Sequence, residues 1–104
     1  MILGKQSVSE HFRLIRQNYD WLIEKLEPDH GLLSILFASE VINSREYEQI
    51  HSEKNHVVKN EILLSIISRK SFEDFKKFKT ALKETTQKEI INRLNEASCG
   101  MLLH

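Results

Sequence analysis

The chain has 104 residues, of which 40% are hydrophobic and 29% are charged. That length fits one domain, and that composition is typical of a globular protein rather than an intrinsically disordered one. Fifteen Lys and Arg residues balance fifteen Asp and Glu residues, so no overall positive field draws the chain to nucleic acid or to an anionic membrane. No apolar run approaches the roughly 18 residues that a membrane span needs, so no membrane-spanning segment is predicted.

Charge is distributed unevenly along the chain. Residues 1–52 carry 5 basic and 8 acidic side chains, a net charge of −3, whereas residues 53–104 carry 10 and 7, a net charge of +3. A molecule with one acidic and one basic side suits head-to-tail association with copies or relatives of itself. The single cysteine, Cys99, excludes an internal disulfide and favours a reducing compartment, so a cytoplasmic location is expected.

The first predicted element is a helix that ends before Pro28. It begins after Ser7-Val8-Ser9-Glu10, a capping-box pattern in which the Ser7 and Glu10 side chains satisfy free backbone N–H groups. Its apolar residues follow one stripe at steps of three and four, but Leu14 and Trp21 lie off that stripe. The helix is therefore expected either to bend or to bury a second face.

Five further helices are predicted, because the chain has only 3 Gly and 1 Pro and because helix-start signals recur about every dozen residues. The second helix is apolar on most sides, which predicts that it is the central, most buried element. Tight connections between short helices leave no room for a long active-site loop. The helices are expected over about 29–39, 44–52 and 55–68, and then after caps at 71–74 and 86–89; the third helix also begins at a cap, 43–46.

No motif for catalysis is present in the sequence. There is no Gly-rich phosphate loop, no Walker Lys-Ser/Thr pair and no Gly-x-Ser-x-Gly elbow. Cys99 has no rigid base beside it, which favours an ordinary thiol over a nucleophile. The chain is therefore expected not to be an enzyme.

Two further patterns raise the question of a ligand. Glu48-x-x-His51 has the spacing of one arm of a di-iron site in a helical bundle, but the second copy that such a site needs does not occur. The lysines of the fifth helix alternate with acidic residues, which favours a solvated helix face over a nucleic-acid track. We expect no metal, no cofactor and no nucleic acid, and a small enzyme or metal-binding bundle stays open as a third hypothesis. The lysines of the fifth predicted helix are Lys70, Lys76, Lys77, Lys79 and Lys83.

Charged side chains remain as a surface for a protein partner. Opposite charges on two such surfaces steer the encounter and set the register. If the first and fourth helices lie side by side, they form a basic face with the residues Arg13, Arg16, Lys54 and Lys59. An acidic face around the second and third helices has the residues Glu40, Glu46, Glu48 and Glu53.

The ordered set of helix patterns resembles a caspase recruitment domain (CARD), a branch of the death-fold superfamily. The family's first helix is characteristically kinked, and LIRQNYDWLIEKL at 14–26 is similar to it. The segments LLSILF at 32–37 and VINSREYEQI at 41–50 are similar to its second and third helices. The segment ILLSIISRK at 62–70 resembles the fourth helix, and the spaced phenylalanines that precede ALKET at 81–85 resemble the fifth.

The resemblance implies an all-α fold, a six-helix antiparallel Greek-key bundle, for the single domain 1–104, with a core of about 8–97 and a short tail at 98–104. It implies homotypic binding of the basic face to the acidic face of another CARD-containing protein, a caspase, an adaptor or a sensor, in apoptotic or innate-immune signalling. A homo-oligomer or helical filament is the assembly that a non-closing contact produces. A death domain or death-effector domain, with a different partner class, is the alternative.

Two positions depart from the family pattern. The family usually has a glycine after the basic end of the fourth helix, where this chain reads Arg69-Lys70-Ser71. The basic residue that many members carry midway along that helix falls at Asn60, next to Lys59. The basic face is therefore expected to be weaker or shifted, and Arg16 is a stronger candidate for partner binding than Lys59.

Overall fold

The structure is a computed structural model, and it describes the backbone of residues 10–29 and 31–103 and the side chains of 11–29 and 31–95. The described residues contain helices and no strand, which confirms the all-α prediction. None of the described helices is long and apolar enough to cross a membrane. The helices are α1 (Glu10–Gln17), α2 (Tyr19–Lys25), α3 (Leu32–Ala38), α4 (Ser44–His51), α5 (His56–Ser68), α6 (Phe72–Glu84) and α7 (Lys88–Leu103).

The described chain has seven helices rather than the six predicted, because the first predicted helix is divided at Asn18. The φ and ψ angles of Asn18 are −111° and 17°, outside the helical region, and its side-chain Nδ2 donates to the Leu14 carbonyl over 2.9 Å. A short amide side chain that bonds the backbone in this way competes with the helical hydrogen bonds. The bend buries Leu14 and packs Trp21 against the core, so both off-stripe residues are used.

The centre of the bundle is α5, which packs against α1, α2, α4 and α6. Its Leu63, Leu64 and Ile67 are completely buried and share the core with Phe75 and Phe78 of α6. The removal of this apolar surface from water is the main force that holds the helices together, and it stabilises the fold by about 25 cal/mol for each Å² buried.

The second predicted helix, which is α3, is not the most buried element, so that expectation is wrong. It packs on α4 and α6 and buries Leu32, Leu33 and Leu36. Its last turn lies at the edge of the bundle and leaves Phe37 45% exposed. An apolar sequence on most sides of a helix was therefore not sufficient to indicate that the helix is the central one.

Two of the three predicted helix caps that fall on described residues are present. At the start of α4, the Asn43 side chain accepts from the Glu46 N–H over 2.8 Å and the Glu46 carboxylate accepts from the Asn43 N–H over 2.9 Å, a complete capping box. Ser71 caps α6 as predicted. The predicted cap at 86–89 is wrong, since α7 begins at Lys88 and Thr86 has a φ of 60°. The capping box predicted at 7–10 lies outside the described residues.

Gln87 joins the α6–α7 turn to the connection between α2 and α3. Its Oε1 accepts from the Glu27 N–H over 2.9 Å, and its Nε2 donates to the Glu27 carbonyl over 3.0 Å. The neighbouring Thr86 adopts left-handed backbone angles that a β-branched residue rarely adopts. The pair of bonds to Glu27 helps to hold the turn in this conformation.

Candidate protein-binding surface

The α1–α5 groove is a surface depression between α1, the start of α2 and the second half of α5. Arg13 and Arg16 are exposed on α1, and among the described residues neither forms an ion pair. Two uncompensated arginines at or beside an apolar depression are suited to an acidic partner. The groove has a volume of about 340 Å³ and is lined by Phe12, Ile15, Arg16, Tyr19, Leu64, Ser65 and Ser68.

Lys54 lies at a different place on the molecule. It is exposed and directly precedes Asn55, the residue that caps α5. The rise of ~1.5 Å per residue separates Asn55 from Leu64 in the groove by about 14 Å along α5. The structure therefore does not bring Lys54 together with Arg16 as one compact patch.

Lys59 is buried, although it was predicted as a member of the basic face. Its side chain is 10% exposed, and its Nζ lies 2.6 Å from Oδ1 of Asp29 in the connection between α2 and α3. A buried ammonium needs such a partner because removing its charge from water is costly. Lys59 thus attaches that connection to α5 and contributes no free charge to the surface.

Asn60, at the position where the family pattern has a basic residue, is fully buried. Its Nδ2 donates to the carbonyls of Ile23 and Leu26 over 2.8 and 2.9 Å. Carbonyls in the last turn of a helix lack partners within the helix, and here α5 supplies the partner for α2. The departure from the family pattern therefore has a structural use, which is to join α2 to α5.

Arg69 is a basic residue near the groove that the prediction of the basic face omitted. It caps the end of α5 and is exposed, and its Nη1 lies 3.4 Å from Oγ of Ser65, which lines the groove. In the sequence, Arg69 follows Ser65 by four residues, which is the spacing at which side chains on one helix lie next to each other. The arginines at and around the groove are therefore Arg13, Arg16 and Arg69, which we call the groove arginines.

Tyr19 places a polar group among the apolar side chains of the groove. Burial raises the pKa of the Tyr19 hydroxyl above its ordinary value of 10.0, and the nearby carboxylates of Glu61 and Asp20 raise it further. The hydroxyl therefore stays protonated at neutral pH and is able to donate a hydrogen bond to an incoming group.

The four predicted acidic residues differ in exposure and in pairing. Glu46 is half-buried, and both of its oxygens lie 3.2 Å from Nζ of Lys70. Glu53 is partly exposed in the connection between α4 and α5. Glu40 and Glu48 are exposed, and among the described residues neither has an ion-pair partner. They are the two carboxylates that the fold leaves available at the α3–α4 end.

Glu40 also lies beside an exposed aromatic residue. It follows α3 with a φ of 66° and lines a depression together with Phe37, whose ring lies 5.4 Å from that of Tyr47. Tyr47 in turn stacks on His51, so the histidine of the Glu48-x-x-His51 pattern takes part in this aromatic contact. Among the described residues no three His, Cys, Asp or Glu side chains come together as metal ligands.

Three lysines of the fifth predicted helix contact other groups of the protein. Lys76 lies 3.4 Å from Glu73, Lys77 donates to the Ser39 carbonyl, and Lys79 donates to Asn95. These contacts are with the protein itself, as in a solvated helix face.

A comparison with protein families identifies one that covers most of these elements. The family model of the caspase recruitment domain matches residues 12–97, which is 86 of the 104 residues. This match favours the caspase recruitment domain over the death domain and the death-effector domain. No curated protein and no solved structure gives a match to the chain.

Proposed function

The chain belongs to the caspase recruitment domain family, whose members are homotypic protein-interaction modules in signalling, and we propose that it recruits or scaffolds a caspase-linked partner through another CARD. The setting is apoptotic or innate-immune signalling in the cytoplasm. The module performs no catalysis itself. In this proposal α1 and α2 together make the kinked first helix of a six-helix Greek-key bundle.

The observation that carries the proposal is the unpaired Arg16 in the groove between α1 and α5. An acidic partner surface gains an ion pair there without first breaking one. Glu40 and Glu48 offer such an acidic surface at the α3–α4 end of a related or identical module. Pairing between the two surfaces speeds the encounter and becomes weaker as salt screens the charges.

The experiment that tests the proposal is light scattering against protein concentration at low and moderate salt, with the variant Arg16→Glu beside the wild type. The wild type is expected to assemble, more strongly at low salt, and Arg16→Glu is expected to stay monomeric. Lys88→Glu is the matched control, because Lys88 is exposed at the start of α7 and its reversal changes the net charge equally.

Two outcomes contradict this surface assignment: Arg16→Glu assembles like the wild type, or Lys88→Glu loses assembly to the same extent. If the wild type remains monomeric, a titration against other CARDs replaces self-association as the measurement. Failure to bind any of them, with the fold intact by circular dichroism, contradicts the homotypic function.

A further inference from the structure

The groove has the size and lining of a receptor for one aromatic side chain. Phe12, Ile15 and Leu64 contribute apolar surface, while Arg16 adds a positive charge. Its volume of about 340 Å³ exceeds the roughly 150 Å³ that holds a benzene molecule in an engineered apolar cavity. An aromatic anchor in a pocket of this kind supplies much of the binding energy of a typical interface.

Two large apolar side chains are exposed among the described residues, and their electrostatic surroundings differ. Phe72 is 57% exposed, with the Lys76 ammonium 5.4 Å from its ring centre. Phe37 is 45% exposed and lines its depression with Glu40. Lys70 lines the same depression, but its ammonium is paired with Glu46.

Charge complementarity selects between these two candidates. Bringing Phe72 to the groove would place Lys76 near Arg16, and like charges repel at an interface. Bringing Phe37 there places the unpaired carboxylate of Glu40 near the unpaired guanidinium of Arg16. Phe37 is also held in place, because its ring rests against Tyr47, so less side-chain freedom is lost on binding.

We propose that the α1–α5 groove of one molecule receives Phe37 of a second copy of this chain, with Glu40 of the incoming molecule against Arg16. The proposal rests on the proposed function and deepens it, since it names the partner and its apolar anchor. No residue belongs to both the groove and the depression around Phe37. One molecule therefore inserts its Phe37 into a neighbour while its own groove receives another, which is a heterologous, head-to-tail contact.

The test uses two variants that each disable one half of the contact. Phe37→Ala removes the anchor and keeps the groove, and it is expected to weaken self-association by roughly 30-fold or more. Ser65→Trp fills the groove from the exposed face of α5 and keeps the anchor, and it is expected to have a similar effect. Sedimentation velocity measures the assembly state, and circular dichroism confirms that both variants are folded.

Mixing the two variants distinguishes this contact from nonspecific hydrophobic association. Phe37 of the Ser65→Trp molecule fits the intact groove of the Phe37→Ala molecule, so the mixture is expected to form one-to-one dimers that do not grow further. Phe72→Ala is the matched control, since it removes a more exposed phenylalanine, and it is expected to assemble like the wild type.

Several results overturn the inference. If Phe37→Ala assembles like the wild type while Arg16→Glu stays monomeric, charge pairing operates without the anchor, and the proposed function survives alone. If Phe72→Ala is as defective as Phe37→Ala, or if the mixed folded variants fail to form dimers, the groove does not receive Phe37. A wild type that remains monomeric but binds a different CARD shows that the occupant is not a second copy.

Discussion

Asn60 lies in the middle of α5, and its amide is used within the fold. Its Nδ2 satisfies two carbonyls at the end of α2, those of Ile23 and Leu26. The variant Asn60→Ala leaves the buried Leu26 carbonyl and the partly buried Ile23 carbonyl without this donor, and we expect the free energy of unfolding to fall by about 2 kcal/mol. Urea denaturation measures the loss, with the exposed Asn92→Ala as the control. A loss no larger than that of the control would show that Asn60 is not needed to hold α2.

Lys59 is a buried cation that is paired within the fold, whereas Arg16 is an unpaired cation on the surface, and equivalent substitutions at the two positions compare these roles. Met replaces Lys59 at similar length, and Asp29, which loses its partner, is 53% exposed. We therefore expect Lys59→Met to change the free energy of unfolding by less than about 1 kcal/mol and to leave self-association unchanged. Arg16→Met is expected to weaken self-association in the same sedimentation measurement. Equal loss of assembly in the two variants would place Lys59 on the interface.

Single residues also show how far the sequence predicts the candidate site. The residue types and their approximate regions were available from the sequence, including Arg16 and Glu40, which the structure leaves exposed and unpaired. What the sequence lacks is the partner of each charge. Lys59 is neutralised by Asp29, 30 positions away, and Glu46 by Lys70, 24 positions away. Such pairs depend on how the helices pack, and helical spacing alone carries no information about them.

At the scale of the element, helix starts were predicted best where a side chain bonds the backbone three residues on. The caps at Asn43 and Ser71 are local, so the sequence contains all the atoms that form them. The start of α7 was misplaced because Thr86 takes left-handed angles in a turn that Gln87 holds to Glu27. That bond spans 60 positions, so the competing turn was not visible locally.

Gln87 connects two elements, and its removal tests that connection. The variant Gln87→Ala loses both hydrogen bonds to the Glu27 backbone, which are exposed, so we expect a loss of about 1 kcal/mol in the free energy of unfolding. The Glu27 amide, which then lacks this acceptor, is expected to exchange its hydrogen faster by NMR. Gln49→Ala on α4 is the control. Unchanged exchange at Glu27 would mean that other contacts hold this junction.

At the scale of the whole molecule, the half of the sequence from which a charged residue comes does not decide where the fold displays that charge. Two of the three groove arginines, Arg13 and Arg16, come from the acidic half of the chain, and so does Glu40, whereas Arg69 comes from the basic half. Folding places α1 and α3 against different parts of the bundle, α1 on α5 and α3 on α6. The sequence indicated correctly that both signs of charge are present, but only the packing of the helices decides where they are displayed.

The separation of the groove from Phe37 has a consequence for any chain of molecules joined in this way. One end of such a chain shows an empty groove, and the other shows an unused phenylalanine, so the chain has a direction. Every addition forms the same groove–Phe37 contact, but the two ends are blocked by different molecules, since each end presents a different surface to arriving molecules. A molecule with a filled groove adds only where a groove is empty and stops growth at that end alone, which makes the polarity directly visible.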